Sequence, residues 1–536
     1  MKLALFFLLL LVAQMASALE AASQSAAWYQ ERAALRKSRM AIEQGAADDR
    51  VERATRAVKV VDDLLTKAKE MGIGRSDVDL ASLVSGVCYL DAATGAPVAA
   101  SLAALPEKST ADAKQQKAWL QLLEPKRNDL LKPTEKLFKL ALDAGVPAVA
   151  RDCVDQALAL WPDHKNLRRN LGQIKFEDRW YGTREADMTK QGFAWDNKLG
   201  WVVVKDRARY AKGDYYDLQA KQWTTLAAVN ALRSEAKNRW VIQTEHLEIR
   251  GTAPLEVLVD AANRIEAFFD RVFAAYSGFF LKVSGKKVSD DDFKVLFGTL
   301  RKEKGAEKYK DREKERDRDL LVVNVAKDKD AYVASLPPMV KAGWSDGMFI
   351  SSTKESYFYQ GEAEVIYHEF THQILHIFSG TNRSPAWLAE GAAVYTQAPA
   401  FHEGRMVLGE IDGNQHLRAF FHQMKESKAL NLQQILALDD GRVWSSSTTP
   451  DLNYPAAGIL VQFCMESDNR RHRSDFLDFL RDSYLGTTLN YKVWDYLGLD
   501  YATFDKNFTD WLGEAAKLQA ERKLERKKSN EKPIEN

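Results

Sequence analysis

Five consecutive residues, His368-Glu369-Phe370-Thr371-His372, have the types and spacing to do chemistry. Two histidines four residues apart on a helix lie one turn apart on one face, so both imidazoles can grip a single ion. A glutamate beside the first histidine can reach a water held at that ion and take its proton. The surrounding sequence supplies the helix. Ile366, Phe370, Ile374 and Ile377 make an apolar stripe at helical spacing within about 362–378, and both histidines fall on the opposite side. The chain holds 9 histidines and 75 acidic residues among 536. Chance would produce the pattern in about two such chains in a hundred, so the rest of a site must accompany it.

A third ligand stands where it is needed. Ser384-Pro385 predicts a helix start, with Ser384 as cap and Pro385 at the first helical position. That helix carries Glu390 eighteen residues after His372, which leaves room for a turn and a returning helix. Gly391, Ala392 and Ala393 are small enough to let it approach the first helix closely. Two imidazoles and one carboxylate are a catalytic zinc set with a fourth position open. The expectation is one zinc ion per chain, held by His368, His372 and Glu390, with Glu369 as general base.

His368-Glu369-x-x-His372 followed by Trp387-Leu388-x-Glu390-Gly391 resembles the gluzincin metallopeptidases of the peptidase MA-like group, whose aminopeptidase branch carries a similar Trp-Leu-x-Glu-Gly helix. About 240–515 as a whole resembles a group of uncharacterised secreted bacterial proteins with this core. The resemblance implies a mixed α/β subdomain, an active-site helix and a helical C-terminal subdomain. It also implies that a Tyr or His of that last subdomain stabilises the oxyanion. Tyr454, sixty-four residues after Glu390 and ahead of an apolar helix over Ala456–Met465, fits that role. Gly458 stands one position later than the family's Tyr-x-x-Gly form, and a core tyrosine at a helix start is the alternative.

The chain also departs from the family. The Gly-x-Met-Glu-Asn motif with which the aminopeptidases recognise a free amine is missing, and Asp346-Gly347-Met348-Phe349-Ile350 stands in its place. Position 394 is Val, so no Asp follows Glu390 by four residues. His376 lies about 12 Å along the helix from His368, too far to share an ion. Nothing in their spacing selects among His402, His416 and His422.

The elements that must position these residues read as α+β. Residues 1–18 have a basic start, an apolar run from Leu3 to Ala13 and Ala16-Ser17-Ala18, as in a cleaved secretory signal. The expected address is secreted or periplasmic, with the mature chain starting at Leu19. Residues 19–178 read as helical, with Pro133-Thr134 and Pro147 as helix starts; Cys153–Gly172 is similar to a tetratricopeptide-type junction, and an ordinary helical bundle is the equal alternative. Residues 179–237 read as a small β-rich connector whose many aromatics are expected in its core. Residues 238–515 hold the catalytic domain: a strand over Trp240–Arg250, a helix over Leu255–Tyr276, strands at Phe293–Leu300 and Leu320–Val325, a helix near Asp330–Ser335, and a strand pair at Met348–Ser352 and Tyr357–Gln360. Residues 516–536 read as a fraying charged tail.

Composition narrows the function class. A net charge of +1 gives no electrostatic footprint for nucleic acid. No segment after the first is apolar enough to span a membrane. Three scattered cysteines, Cys88, Cys153 and Cys464, build neither a disulfide scaffold nor a thiolate metal site. The expected activity is hydrolysis of peptide bonds, endopeptidase over aminopeptidase, on a peptide or protein substrate, with the N-terminal helices free to recruit a protein partner. Two rivals stand beside it. One is a binding protein built on a helical repeat with a retired peptidase domain. The other is a zinc amidase acting on non-protein amides.

Overall fold

The computed structural model describes residues 2–77, 103–281, 287–289, 293, 320–338, 340, 345–359, 363–402, 405–439, 444, 450–488 and 490–530. The chain is α+β. It opens with α1 (Lys2–Glu70), α2 (Ala113–Asp143), α3 (Pro147–Leu160) and α4 (Lys165–Asn170). Pro147 occupies the first turn of α3 as expected, because a missing N–H costs nothing there. Pro133 does not start a helix. It lies with Pro125 inside α2, whose buried Trp119, Leu123, Leu130 and Leu137 hold the helix together by packing.

The connector is three successive hairpin–helix units: β1 (Ile174–Phe176) and β2 (Arg179–Tyr181) with α5 (Thr183–Lys190), β3 (Phe193–Asp196) and β4 (Gly200–Val203) with α6 (Arg207–Tyr210), and β5 (Asp214–Asp217) and β6 (Gln222–Thr225) with α7 (Leu226–Arg233). Each unit places one tryptophan on its second strand: Trp180, Trp201 and Trp223. That period of 21 and 22 residues is a repeat the sequence reading missed.

The main sheet contains β7 (Trp240–Gln243), β8 (Leu247–Gly251), β9 (Leu321–Ala326), β10 (Gly347–Ile350) and β11 (Glu355–Tyr359), in the order β10-β11-β9-β8-β7. The single strand expected over Trp240–Arg250 is a hairpin instead. Its turn is pinned by Glu266, whose carboxylate accepts from the His246 N–H at 2.8 Å and from the Thr244 hydroxyl. Between β8 and β9 comes α8 (Leu255–Ala275), which buries Leu258, Ala262, Ile265, Phe269 and Val272 at helical spacing. α9 (Lys329–Ser335) follows β9. Of the strand expected at Phe293–Leu300, only Phe293 is described. It is helical and buried in the N-terminal core with Ala274 and Val288, so the chain after α8 leaves the sheet domain to complete the helical one. Cys88 and the charged stretch Arg301–Asp319 lie outside the described residues.

The connector closes one sheet edge. Gln219 Oε1 accepts from the Val241 N–H at 3.1 Å, and the Trp201 indole donates to Gln243 O at 2.9 Å, so β7 cannot pair with another strand. The other edge, β10, faces the site.

The remaining elements are α10 (Ala363–Ser379), α11 (Ala386–Thr396), the hairpin β12 (Ala400–His402) and β13 (Arg405–Val407), α12 (Gln415–Lys425), α13 (Leu432–Leu436), α14 (Pro450–Arg470), α15 (Arg473–Leu485), α16 (Val493–Leu497) and α17 (Tyr501–Asn530). The expected fraying tail is largely helical: α17 runs to Asn530. Among the described residues no helix is long and apolar enough to cross a membrane.

Two ionic networks, the first buried and the second half-buried, fasten the N-terminal helices to the rest. Arg32 and Arg39 of α1 both bridge Asp475 and Asp478 of α15, at 2.6–3.2 Å. Arg151 and Asp155 of α3 pair with Asp270 and Arg271 of α8. Removing one charge from a buried set leaves the others uncompensated, at a cost of about 3–5 kcal/mol. Asp478→Asn is therefore expected to lower the melting temperature by roughly 3–4 °C. Loss of the exposed Lys506–Asp510 pair, by Lys506→Ala, leaves it unchanged. Equal melting of the two variants would show that the buried network does not hold α1 down.

Candidate metal centre

The site is built on α10. Phe370 and Ile374 are fully buried as the stripe predicts, and Thr371 and Gln373 join them. Gln373 is satisfied at both ends of its amide: it donates to Val322 O and Lys354 O and accepts from the Ser356 hydroxyl. A buried polar side chain with every partner in place fixes the helix against the sheet in one register. Thr371 reaches across to Thr396 at 2.7 Å and ties α10 to α11.

Apart from Glu390, α11 is apolar and buried on every side from Trp387 to Val394 because other elements enclose it. Ser384 does not cap it. Pro385 is the N-cap, and the Ser384 hydroxyl turns to Asn382 Oδ1. Gly391 serves a different neighbour from the one expected. A methyl there would sit 2.5 Å from Ala457 O, so the glycine admits α14 and not α10.

The three predicted ligands converge. His368 Nε2 lies 3.2 Å and His372 Nε2 3.4 Å from Glu390 Oε2, and the two Nε2 atoms are 3.3 Å apart. An ion about 2.0–2.2 Å from each of three atoms in tetrahedral coordination needs them roughly 3.3–3.5 Å apart. The triangle has that size, so the group could hold a metal ion, and no other such cluster occurs among the described residues. His368 Nδ1 is 3.0 Å from Gln397 Oε1, its acceptor, which leaves Nε2 with the lone pair a metal requires. Burial opposes charge on Glu390, but the two imidazoles hold its carboxyl well below the ordinary range. Burial likewise opposes charge on His372, yet Glu390, with Glu369 behind it, carries the imidazole up to about 9.

Glu369 stands beside the triangle without belonging to it. Its Oε2 accepts from the Phe349 N–H of β10 at 2.8 Å. Tyr454 is also brought in, its ring 5.9 Å from that of His368. It does not precede its helix but lies inside α14, which begins at Pro450. Pro455 deprives Asp451 O of its helical donor, and Gln423 Nε2 fills the gap at 3.2 Å. Burial first, then Glu390 and Glu369, push the Tyr454 phenol up, so it stays a donor at neutral pH.

His416 of α12, one of three histidines the spacing left undistinguished, packs 5.6 Å from Tyr454. Burial, and then His368, pull its imidazole down to about 4, so it is neutral. His422 is exposed on the same helix. His376 stays out of the triangle and packs on Phe349 at 5.4 Å. Asp346 is already committed: it takes the Lys329 ammonium at 2.6 Å and the Tyr359 hydroxyl at 3.0 Å. Gln397 escaped the sequence reading although it falls two turns after Glu390, on the same helical face. His416 and the Phe349 amide gave no signal of their own. No family model, no curated protein and no solved structure matches this chain.

Proposed function

We propose that this chain is a zinc-dependent metallopeptidase of the gluzincin kind, exported from the cytoplasm, and an endopeptidase. The observation that carries the reading is the triangle of His368, His372 and Glu390 at zinc-ligand separations, with the Glu369 carboxylate beside it. His368, His372 and Glu390 would hold the zinc ion, which would supply Lewis-acid chemistry and the activation of a water for hydrolysis. Glu369 takes the proton of the attacking water and returns it to the leaving amine. Tyr454 donates its phenol proton to the developing oxyanion. Gln397 keeps His368 in the tautomer that leaves Nε2 free. The β10 edge accepts an extended peptide by strand addition, which favours a polypeptide over a small amide. The tetratricopeptide-like reading of the N-terminal helices rests on the α3–α4 step, and a protein partner on that region is part of the same proposal.

The test is digestion of a peptide library, in free-amine and N-acetylated forms, with and without a chelator. Cleavage is expected to stop with chelator and to change little on acetylation. A terminal ammonium needs a carboxylate to leave water. β10 carries no acid among Gly347–Ile350, and Asp346 is already paired with Lys329. A large loss of kcat/KM on acetylation would move the protein to the aminopeptidase class. Cleavage of no peptide would favour a retired site, and cleavage of non-protein amides alone would favour the amidase.

A further inference from the structure

Among the described residues no strand pairs with the outer edge of β10, and that edge is capped from within. Backbone groups along an antiparallel strand point alternately to the partner and away from it. The Phe349 N–H goes to Glu369 and not to β11, so Phe349 and, two residues earlier, Gly347 are the positions whose groups face outward. Both groups of Gly347 engage the Ser345 hydroxyl, which accepts from its N–H at 3.3 Å and donates to its carbonyl. Among the described residues this leaves the Phe349 carbonyl as the outward group with no partner. α10 lies close along this edge. A methyl at Gly347 would sit 2.8 Å from Val365, and Glu369 follows Val365 by one turn on the same face. The amide that an added peptide strand would use is thus the one that holds the proposed base.

We infer that the Phe349 amide is the positioning group for Glu369 and is handed over to the substrate. In the free protein its N–H tethers the carboxylate. When an extended peptide adds to β10, a peptide carbonyl takes the N–H, and Glu369 is released towards the attacking water. One acceptor replaces another on a single donor, so binding of a long peptide and release of the base are one event. A short amide that does not reach β10 leaves the base tethered. The inference rests on the peptidase reading and adds to it a preference for extended polypeptides that acts on kcat and not only on KM.

Two measurements on the full chain test it. The first is hydrogen exchange at single-amide resolution. Glu369→Ala is expected to deprotect the Phe349 amide by about 10-fold or more, leaving Met348 and Ile350, which face β11, unchanged. Unchanged protection at Phe349 would overturn the tether, whatever the enzyme does. The second is kcat across N-acetylated peptide amides from tripeptide to octapeptide. Wild type is expected to show kcat rising with length. Phe349→Ala, which keeps the N–H, is expected to retain the rise. Phe349→Pro, which removes it at an edge position where proline is tolerated, is expected to flatten it. A merely structural defect would scale every length alike. If wild type cleaves the series and Phe349→Pro keeps the rise, the hand-over is wrong and the peptidase reading stands. If wild type cleaves none of it, the reading falls and this inference with it.

Discussion

Glu369→Gln is expected to keep its metal and lose hydrolysis by roughly 10²–10⁴-fold in kcat, the usual contribution of a positioned general base. Its carboxylate is no part of the triangle formed by His368, His372 and Glu390. The amide is nearly isosteric and can still accept from the Phe349 N–H, so neither the ligand geometry nor the packing of α10 is disturbed. Only the proton acceptor is gone. Steady-state kinetics with zinc content measured on the same preparation checks this. Loss of zinc together with activity would make Glu369 a ligand. Full activity would place the base elsewhere.

His372→Ala is expected to weaken zinc binding by more than about 100-fold, since even the loss of a residue that only orients a ligand costs about 10–100-fold. Gln397→Ala, which removes the acceptor on His368 Nδ1, belongs to that milder range. Competition against a chromogenic chelator ranks the three proteins. The order wild type, Gln397→Ala, His372→Ala follows from the geometry. Equal affinity in wild type and His372→Ala would remove the site.

The metal triangle was legible because helical periodicity reports it directly. Four residues make one turn, which stacks His368 over His372, and a second helix returning after eighteen residues can offer Glu390. Sequence-local features came through as well: α8, β9, α9 and the β10–β11 hairpin stand close to where the apolar patterns put them. Packing between distant elements did not. Gly391 reads as a small residue, but only the fold shows that Ala457 of α14 is what it admits. Tyr454 sits inside its helix, where Gln423 of another helix supplies a donor to the Asp451 carbonyl that Pro455 leaves open. The networks joining Arg32 and Arg39 to Asp475 and Asp478 span more than four hundred residues and leave no periodic trace. They join the N-terminal helices to α15 of the C-terminal part. The tether on Glu369 is a backbone N–H, which residue identity cannot reveal.

The proposed chemistry stands or falls on a zinc ion held by His368, His372 and Glu390. Elemental analysis combined with zinc-edge X-ray absorption on the purified wild-type protein tests it most directly. One zinc per chain is expected, with ligand nitrogen and oxygen at about 2.0–2.2 Å and no sulfur. Protein that takes up no stoichiometric zinc when it is offered, or a shell containing sulfur at about 2.3 Å, would contradict it.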